Sequence, residues 1–390
     1  MSQREILHIG ARCTGCFACQ NACPHNAISF NEINEGFYYP SIDSNLCIDC
    51  GICDKICPRI SPIKRYTMKS AFYGWSNNDE LRAQSSSGGL FGELAKLVLD
   101  AGGCVYGASF SYDNILRLET HSTDEVSLLE LLKSKYVQSY VGNAFRNVRA
   151  QLKSGKKVLF CGTPCQVEGL RAFLRKDYEN LVLVDFVCHG VPSMDLLRKH
   201  LDMLKIKDVY EINFRPKVSS WVDFFVIKHS KGERKIHWTL DEYFYTFEKN
   251  KSIRQSCMNC EYCNGARSAD ITIADFWGIH KYAPKEYDPK GISLILFNTD
   301  KGASFLESLT KKNTITCHPL PLEDAKYVYE KERSTETGYD KDSRNQFVND
   351  VYTLGYLRAL KKHGLYISKL RYLISIIVKH VSRVYHKFLH

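Results

Sequence analysis

The sequence predicts an α+β protein in three parts: a small cysteine-rich module, an α/β domain and a helical tail. Three observations carry this expectation. A cysteine string is written twice near the start, strand and helix signals alternate through the middle, and apolar residues recur at helical spacing near the end. At 390 residues, 44% apolar and 25% charged, the chain has room for two or three domains with real cores.

The module covers residues 1–66. Its first string is Cys13-Thr14-Gly15-Cys16-Phe17-Ala18-Cys19 followed by Cys23-Pro24; its second is Cys47-Ile48-Asp49-Cys50-Gly51-Ile52-Cys53 followed by Cys57-Pro58. Both read C-x2-C-x2-C-x3-C-P, the bacterial ferredoxin run, and the second is offset from the first by 34 residues throughout. An iron–sulfur cube needs thiolates at four corners. Two-residue spacers let three cysteines wrap one cube, while the fourth, fixed by its proline, turns to the other. The pattern therefore assigns one [4Fe-4S] cluster to Cys13, Cys16, Cys19 and Cys57, and a second to Cys47, Cys50, Cys53 and Cys23. Zinc sites usually show two cysteine pairs rather than a repeated quartet ending in proline.

Pro62 and the basic link Lys64-Arg65 close the module. Sixteen cysteines, most of them in ligand spacing, argue for a reducing cytoplasm. The start of the chain lacks the apolar core of a signal peptide, and no apolar run approaches the roughly 18 residues of a membrane span.

The α/β domain is read from its alternation. Ala71–Trp75 is a strand, Ser85-Ser86-Ser87-Gly88-Gly89 a loop, and Leu90–Asp100 a helix with Leu90, Leu94, Leu97 and Val98 on one face. Gly102-Gly103 stops that helix, Cys104–Phe110 is a strand, and a helix near Val126–Lys133 leads into Ser134-Lys135-Tyr136-Val137-Gln138-Ser139. Val158–Phe160, Leu181–Val187 and Asp270–Ala274 are further strands. Helices follow at Gln166–Arg175 and Met194–Leu204, the latter capped by Ser193. In such a domain chemistry gathers where strands end and loops begin.

Eight cysteines lie outside the module: Cys104, Cys161, Cys165, Cys188, Cys257, Cys260, Cys263 and Cys317. Cys257, Cys260 and Cys263 repeat the two-residue spacing, while Cys165 and Cys188 each follow a strand and can face one crevice. A third cube can be built from these parts, but spacing alone leaves its fourth ligand open and admits zinc. Cys104 and Cys317 read as packed thiols. No G-x-G-x-x-G and no P-loop string occurs, so neither a Rossmann nicotinamide site nor a nucleoside-triphosphate site is expected.

Five strings in one order resemble a known family. They are Ser85–Leu90, Ser134–Gln138, Gly162-Thr163-Pro164-Cys165-Gln166, Cys188-His189-Gly190, and Cys257-x2-Cys260 with Ala269-Asp270-Ile271 and Asp275-Phe276-Trp277-Gly278. Over about residues 70–320 the chain is similar to the coenzyme F-420 hydrogenase/dehydrogenase beta-subunit family, in the bacterial type with a fused ferredoxin module. The resemblance implies an N-terminal-like domain at 67–146 and a C-terminal-like domain at 147–325, carrying FAD beside one cubic cluster. It implies that Cys165, Cys188, Cys257 and Cys260 hold that cluster, with Cys161 and Cys263 as substitutes. It also implies a flavin site at Ser86, Ser87, Gly88, Gly89, Lys135, Tyr136, Gln138, Gly162, Thr163 and Pro164. Two glycines opening a helix fit that role, because free backbone N–H groups favour an anionic diphosphate.

His189 is the candidate proton donor, or a structural histidine; Asp275 is a second acid, or the residue that orients Trp277. Lys135 places a positive charge near the flavin, or is a solvated surface lysine. Ferredoxin or coenzyme F-420 is the expected redox partner, and the substrate is a small molecule, with sugar intermediates of surface-polysaccharide synthesis included. The alternative is a subunit that relays electrons to a separate catalytic partner.

Residues 352–390 form the third part, a basic amphipathic tail. They carry eight Lys/Arg and no Asp or Glu, so the formal charge of +10 leaves only +2 for the rest. That distribution removes the global case for nucleic-acid binding. Ile367, Leu370, Ile374, Ile377, Val381, Val384 and Phe388 recur at helical spacing, so the tail lies on an anionic membrane at its inner face, binds a partner, or packs on its own domain.

Overall fold

The computed structural model describes residues 4–33, 35–113, 115–217, 224–326 and 340–368. Its front module repeats in backbone what it repeats in sequence. Helices α1 (Ala18–Ala22) and α2 (Ile52–Ile56) each follow a left-handed residue, Phe17 at φ 66° and Gly51 at φ 72°. Two positions earlier Gly15 (φ 66°) and Asp49 (φ 61°) take the same conformation. A non-glycine residue at positive φ is strained. At Phe17 a fully buried ring offsets that cost by stacking on Phe30 at 4.0 Å and meeting Tyr140 edge-on at 4.9 Å. The antiparallel hairpin β1 (Ile28–Ile33) and β2 (Phe37–Ile42) covers these loops.

The chain continues through β3 (Ser70–Ser76), α3 (Asp79–Ala83), α4 (Leu90–Leu99), β4 (Cys104–Ser111), β5 (Arg117–Ser122), α5 (Leu128–Leu131) and α6 (Ala144–Lys153). Then come β6 (Val158–Cys161), α7 (Pro164–Leu174), β7 (Leu181–Phe186) and α8 (Met194–Met203). A small antiparallel sheet follows, from β8 (Val209–Asn213), β9 (Phe224–His229) and β10 (Gly232–His237). After it stand α9 (Glu242–Glu248), α10 (Gln255–Met258), β11 (Ile271–Asp275), α11 (Ile279–Tyr282), β12 (Ser293–Phe297), α12 (Asp300–Lys311) and β13 (Ile315–Leu320).

Eight strands form one sheet in the order β13-β3-β12-β11-β7-β6-β4-β5. Its middle four, β11, β7, β6 and β4, are parallel, and antiparallel strands extend it on both sides. Helices α6 and α7 and the front module cover one face of the sheet; α4 and α12 cover the other. Strands from 67–146 and from 147–325 pair within this sheet, and α6 runs across residue 146, so the two segments share their cores.

Several elements differ from expectation for local reasons. The helix after Cys161 begins at Pro164 rather than Gln166, because proline at the first helical position loses no bond. The helix expected near Val126–Lys133 shrinks to α5, and Lys133 turns left-handed at φ 69° beyond it. Residues 352–354 finish a helix, Lys341–Leu354; Gly355 interrupts it at φ 90°, and a second helix, Tyr356–Lys362, follows. This helix pair packs on Leu196 and Met203 of α8. Its buried Arg344 donates to the Ile253 carbonyl at 2.7 and 2.9 Å and pairs with Glu35 of the front module. From Leu370 onward the apolar stripe expected in the tail lies outside the described residues. Among the described residues, no helix is long and apolar enough to cross a membrane.

Candidate cofactor and electron-transfer site

The eight module thiols fall into an inner and an outer group. Cys13 and Cys57 pack together with Ile9, and Cys16 and Cys19 sit in the main core. Burial pushes the Cys16 and Cys19 thiols well above the ordinary range, and the nearby charges of Cys13 and Cys57 push them further. Such crowded buried thiols become thiolates only when a bound cation compensates them. Cys23, Cys47, Cys50 and Cys53 line a separate small apolar cavity with Arg4. Cys50 is exposed there, and neighbouring Ile48 is 64% exposed.

A cavity of about 870 Å³ opens at the carboxyl ends of the parallel strands. The loop after β6 brings Cys161, Gly162, Thr163, Pro164 and Cys165 to it; the loop after β7 brings Cys188 and His189; the end of β11 brings Asp275. Thr163 fixes the first loop through a capping box with Gln166, and its hydroxyl lies 3.1 Å from Cys165 Sγ. Burial pushes the Cys165 thiol up to about 11, with the charge of Cys257 adding to it. Cys257 and Cys260 line the same cavity. Cys161 does too, but its charged neighbours are Asp185 and Lys135.

On the far wall stand Ser86, Ser87 and Gly89 before α4, with Lys135, Tyr136 and Gln138 beside them. Every serine hydroxyl there is engaged: Ser85 donates to Leu81 O, Ser87 donates to Ile292 O, and Ser86 accepts from Ser134 N–H. Gly88 stands behind the wall. A Cβ there would lie 2.9 Å from Ser293 N, so strand packing explains this glycine. Gly89 turns left-handed at φ 90°, and the α4 N-terminus has no side-chain cap.

Lys135 Nζ donates to the carbonyls of Glu130 and Leu132 at 2.7 and 2.6 Å, and burial lowers it to about 7. His189 packs edge-on against Phe247 with ring centroids 4.9 Å apart. The buried Arg215 donates to both oxygens of Asp275 at 2.6 and 3.3 Å.

Module and cavity meet through α7. A Cβ on Gly169 would lie 3.0 Å from Cys16 Sγ, so only glycine lets the helix carrying Cys165 approach the inner thiols this closely. Arg65, in the link that closes the module, grips the buried Glu168 at 2.7 and 3.2 Å and also reaches Glu261 at 2.9 Å. Tyr262 donates to Glu168 as well, and Arg59 pairs with Glu261. The sequence pointed to none of Arg65, Glu168, Arg215 or Arg254 as site residues.

A two-cluster module docked on a sheet whose strand ends hold further cysteines and a cofactor-sized cavity defines an iron–sulfur oxidoreductase or electron-transfer protein. Residues 12–59 match the 4Fe-4S dicluster domain. Residues 155–323 match the family described as the C terminus of the coenzyme F420 hydrogenase/dehydrogenase beta subunit. Residues 155–323 thus carry a domain similar to the C terminus of that beta subunit.

The coenzyme F420-dependent sulfite reductase of Methanocaldococcus jannaschii is 23% identical over 379 residues, which is 90% of this chain and 54% of that protein. The chain thus spans about half the length of that relative. The ferredoxin-type protein NapF of Escherichia coli is 42% identical over 43 residues, 11% of this chain and 26% of its own. A chain of the F420-reducing [NiFe] hydrogenase complex from Methanosarcina barkeri aligns at 15% identity with a TM-score of 0.48, covering 74% of this chain and 94% of that one.

Proposed function

We propose that this protein is a cytoplasmic iron–sulfur flavoprotein oxidoreductase. It takes electrons from reduced ferredoxin or a reduced deazaflavin such as coenzyme F420 and delivers them to a small substrate bound beside FAD. The contact between Cys16 and Gly169 carries this reading: it sets the inner thiols against the helix that presents Cys165 to the cavity. Electron-bearing sites and a substrate-sized space are thereby joined in one chain.

The residues present fit FAD. A volume of about 870 Å³ falls toward the upper end of known ligand pockets, the uncapped α4 N-terminus offers N–H groups to a diphosphate, and Lys135 supplies a cation. Cys165, Cys188, Cys257 and Cys260 would hold the third cluster. When bound, the clusters supply single-electron carriers and the flavin a two-electron store. The chain's own work is to bind and to shield. Arg65 and Glu168 keep the module docked, Arg215 holds Asp275, and His189 gives a proton to the substrate. The substrate belongs among small molecules, sugar intermediates of surface-polysaccharide synthesis included.

The test is anaerobic purification with iron, sulfide and flavin analysis. About twelve irons and one FAD per chain are expected, and about eight irons with no flavin would remove this reading. Screening the reduced protein against sulfite, deazaflavin and sugar-derived acceptors then identifies the substrate.

A further inference from the structure

We propose that Arg254 is a positioning residue between two cluster sites, a fixed buried charge that raises both potentials and holds the sites together. The inference rests on the reading above for the Cys165 site, and its experiment separates the two.

Arg254 touches three ligand segments at the junction. Its backbone N–H donates to Val191 O at 2.9 Å, in the loop that follows Cys188. Its carbonyl accepts from the Cys257 N–H at 2.9 Å. Its side chain crosses to the module, where Nε donates to the Cys13 carbonyl at 2.8 Å. Nη1 donates to Gln138 Oε1 at 3.2 Å, and the guanidinium lies 4.0 Å from the centre of the Tyr39 ring. One residue thus links the Cys13, Cys188 and Cys257 segments.

The side chain is fully buried, and these partners are a carbonyl, an amide oxygen and aromatic rings, none of them an anion. Its Nη2 is also buried and has no hydrogen-bond partner among the described residues. A buried guanidinium without an anion is costly to fold around. Cages held by four thiolates supply the missing negative charge, and their sulfurs accept hydrogen bonds. The guanidinium also lies close enough to Cys165 to interact with it electrostatically.

The charge has a definite consequence. A positive group beside a cluster favours its reduced, more negative form and so raises its potential. With both clusters bound, exchange of one electron between the two sites would make or break no bond and move no proton. A cation shared by both keeps their potentials in step.

The experiment compares the wild type with Arg254→Met and Arg254→Lys, purified anaerobically and titrated potentiometrically under EPR. In Arg254→Met the Cys13 and Cys165 sites should both become harder to reduce, by at least tenfold in the equilibrium constant, or about 59 mV for one electron. The Cys47 site should not move. Arg254→Lys should shift the same two sites together by less. Unmoved potentials in a variant with full iron would overturn the proposal, as would a shift of one site alone. If Arg254→Met does not fold, Arg254→Lys decides by the same criterion. About eight irons in the wild type would instead overturn the three-cluster reading and the bridge with it.

Discussion

Arg65 shows how much of the assembly depends on single side chains. Its carboxylate partner, Glu168, is fully buried, so Arg65→Ala leaves an uncompensated charge in the core. The expected loss is about 3–5 kcal/mol in chemical denaturation, and adding Glu168→Gln should recover most of it. Equal stability of the single and double variants would show that the pair holds nothing together. Lys135 makes a prediction in pH. Burial lowers it from 10.5 to about 7, so its ammonium is present below that value and lost above it. Affinity for an anionic diphosphate, measured by calorimetry, should fall as pH rises through about 7, by at most roughly tenfold per unit. Lys135→Arg, charged throughout, should flatten that profile. The cysteines were legible in the sequence because ligand chemistry fixes their spacing. Arg254 was not, because its partner Cys13 is 241 residues away; nor was Arg215, 60 residues from Asp275.

Helix α7 joins the two halves of the chemistry. Its first turn carries Cys165 and its second faces Cys16, so a side chain at Gly169 must push the module away. Gly169→Leu should cost about 1–3 kcal/mol in thermal or urea denaturation and slow electron delivery from the module to the cavity. Wild-type transfer in this variant would mean that the close approach carries no electrons. The strands β4, β6, β7 and β11 were readable because parallel strands buried on both faces are nearly continuous apolar runs. Apart from β3, the antiparallel strands were not. β10 reads Gly-Glu-Arg-Lys-Ile-His and is mostly exposed, so it shows no apolar alternation. β3 lies between β12 and β13, more than 200 residues on, and no local pattern announces that neighbour.

Across the molecule the thiol groups form a gradient, from Cys50 and Ile48 at the surface to Cys16 against the sheet domain. Brief air exposure should therefore remove the EPR signal of the Cys23, Cys47, Cys50 and Cys53 site before that of the inner site. Loss in the reverse order would contradict the gradient. The two distant regions of the chain also meet, because Arg344 holds both Glu35 and the carbonyl of Ile253. A ribosome makes Glu35 long before it makes Arg344. The clasp can therefore close only after the module, α7 and the eight-stranded sheet have all been made.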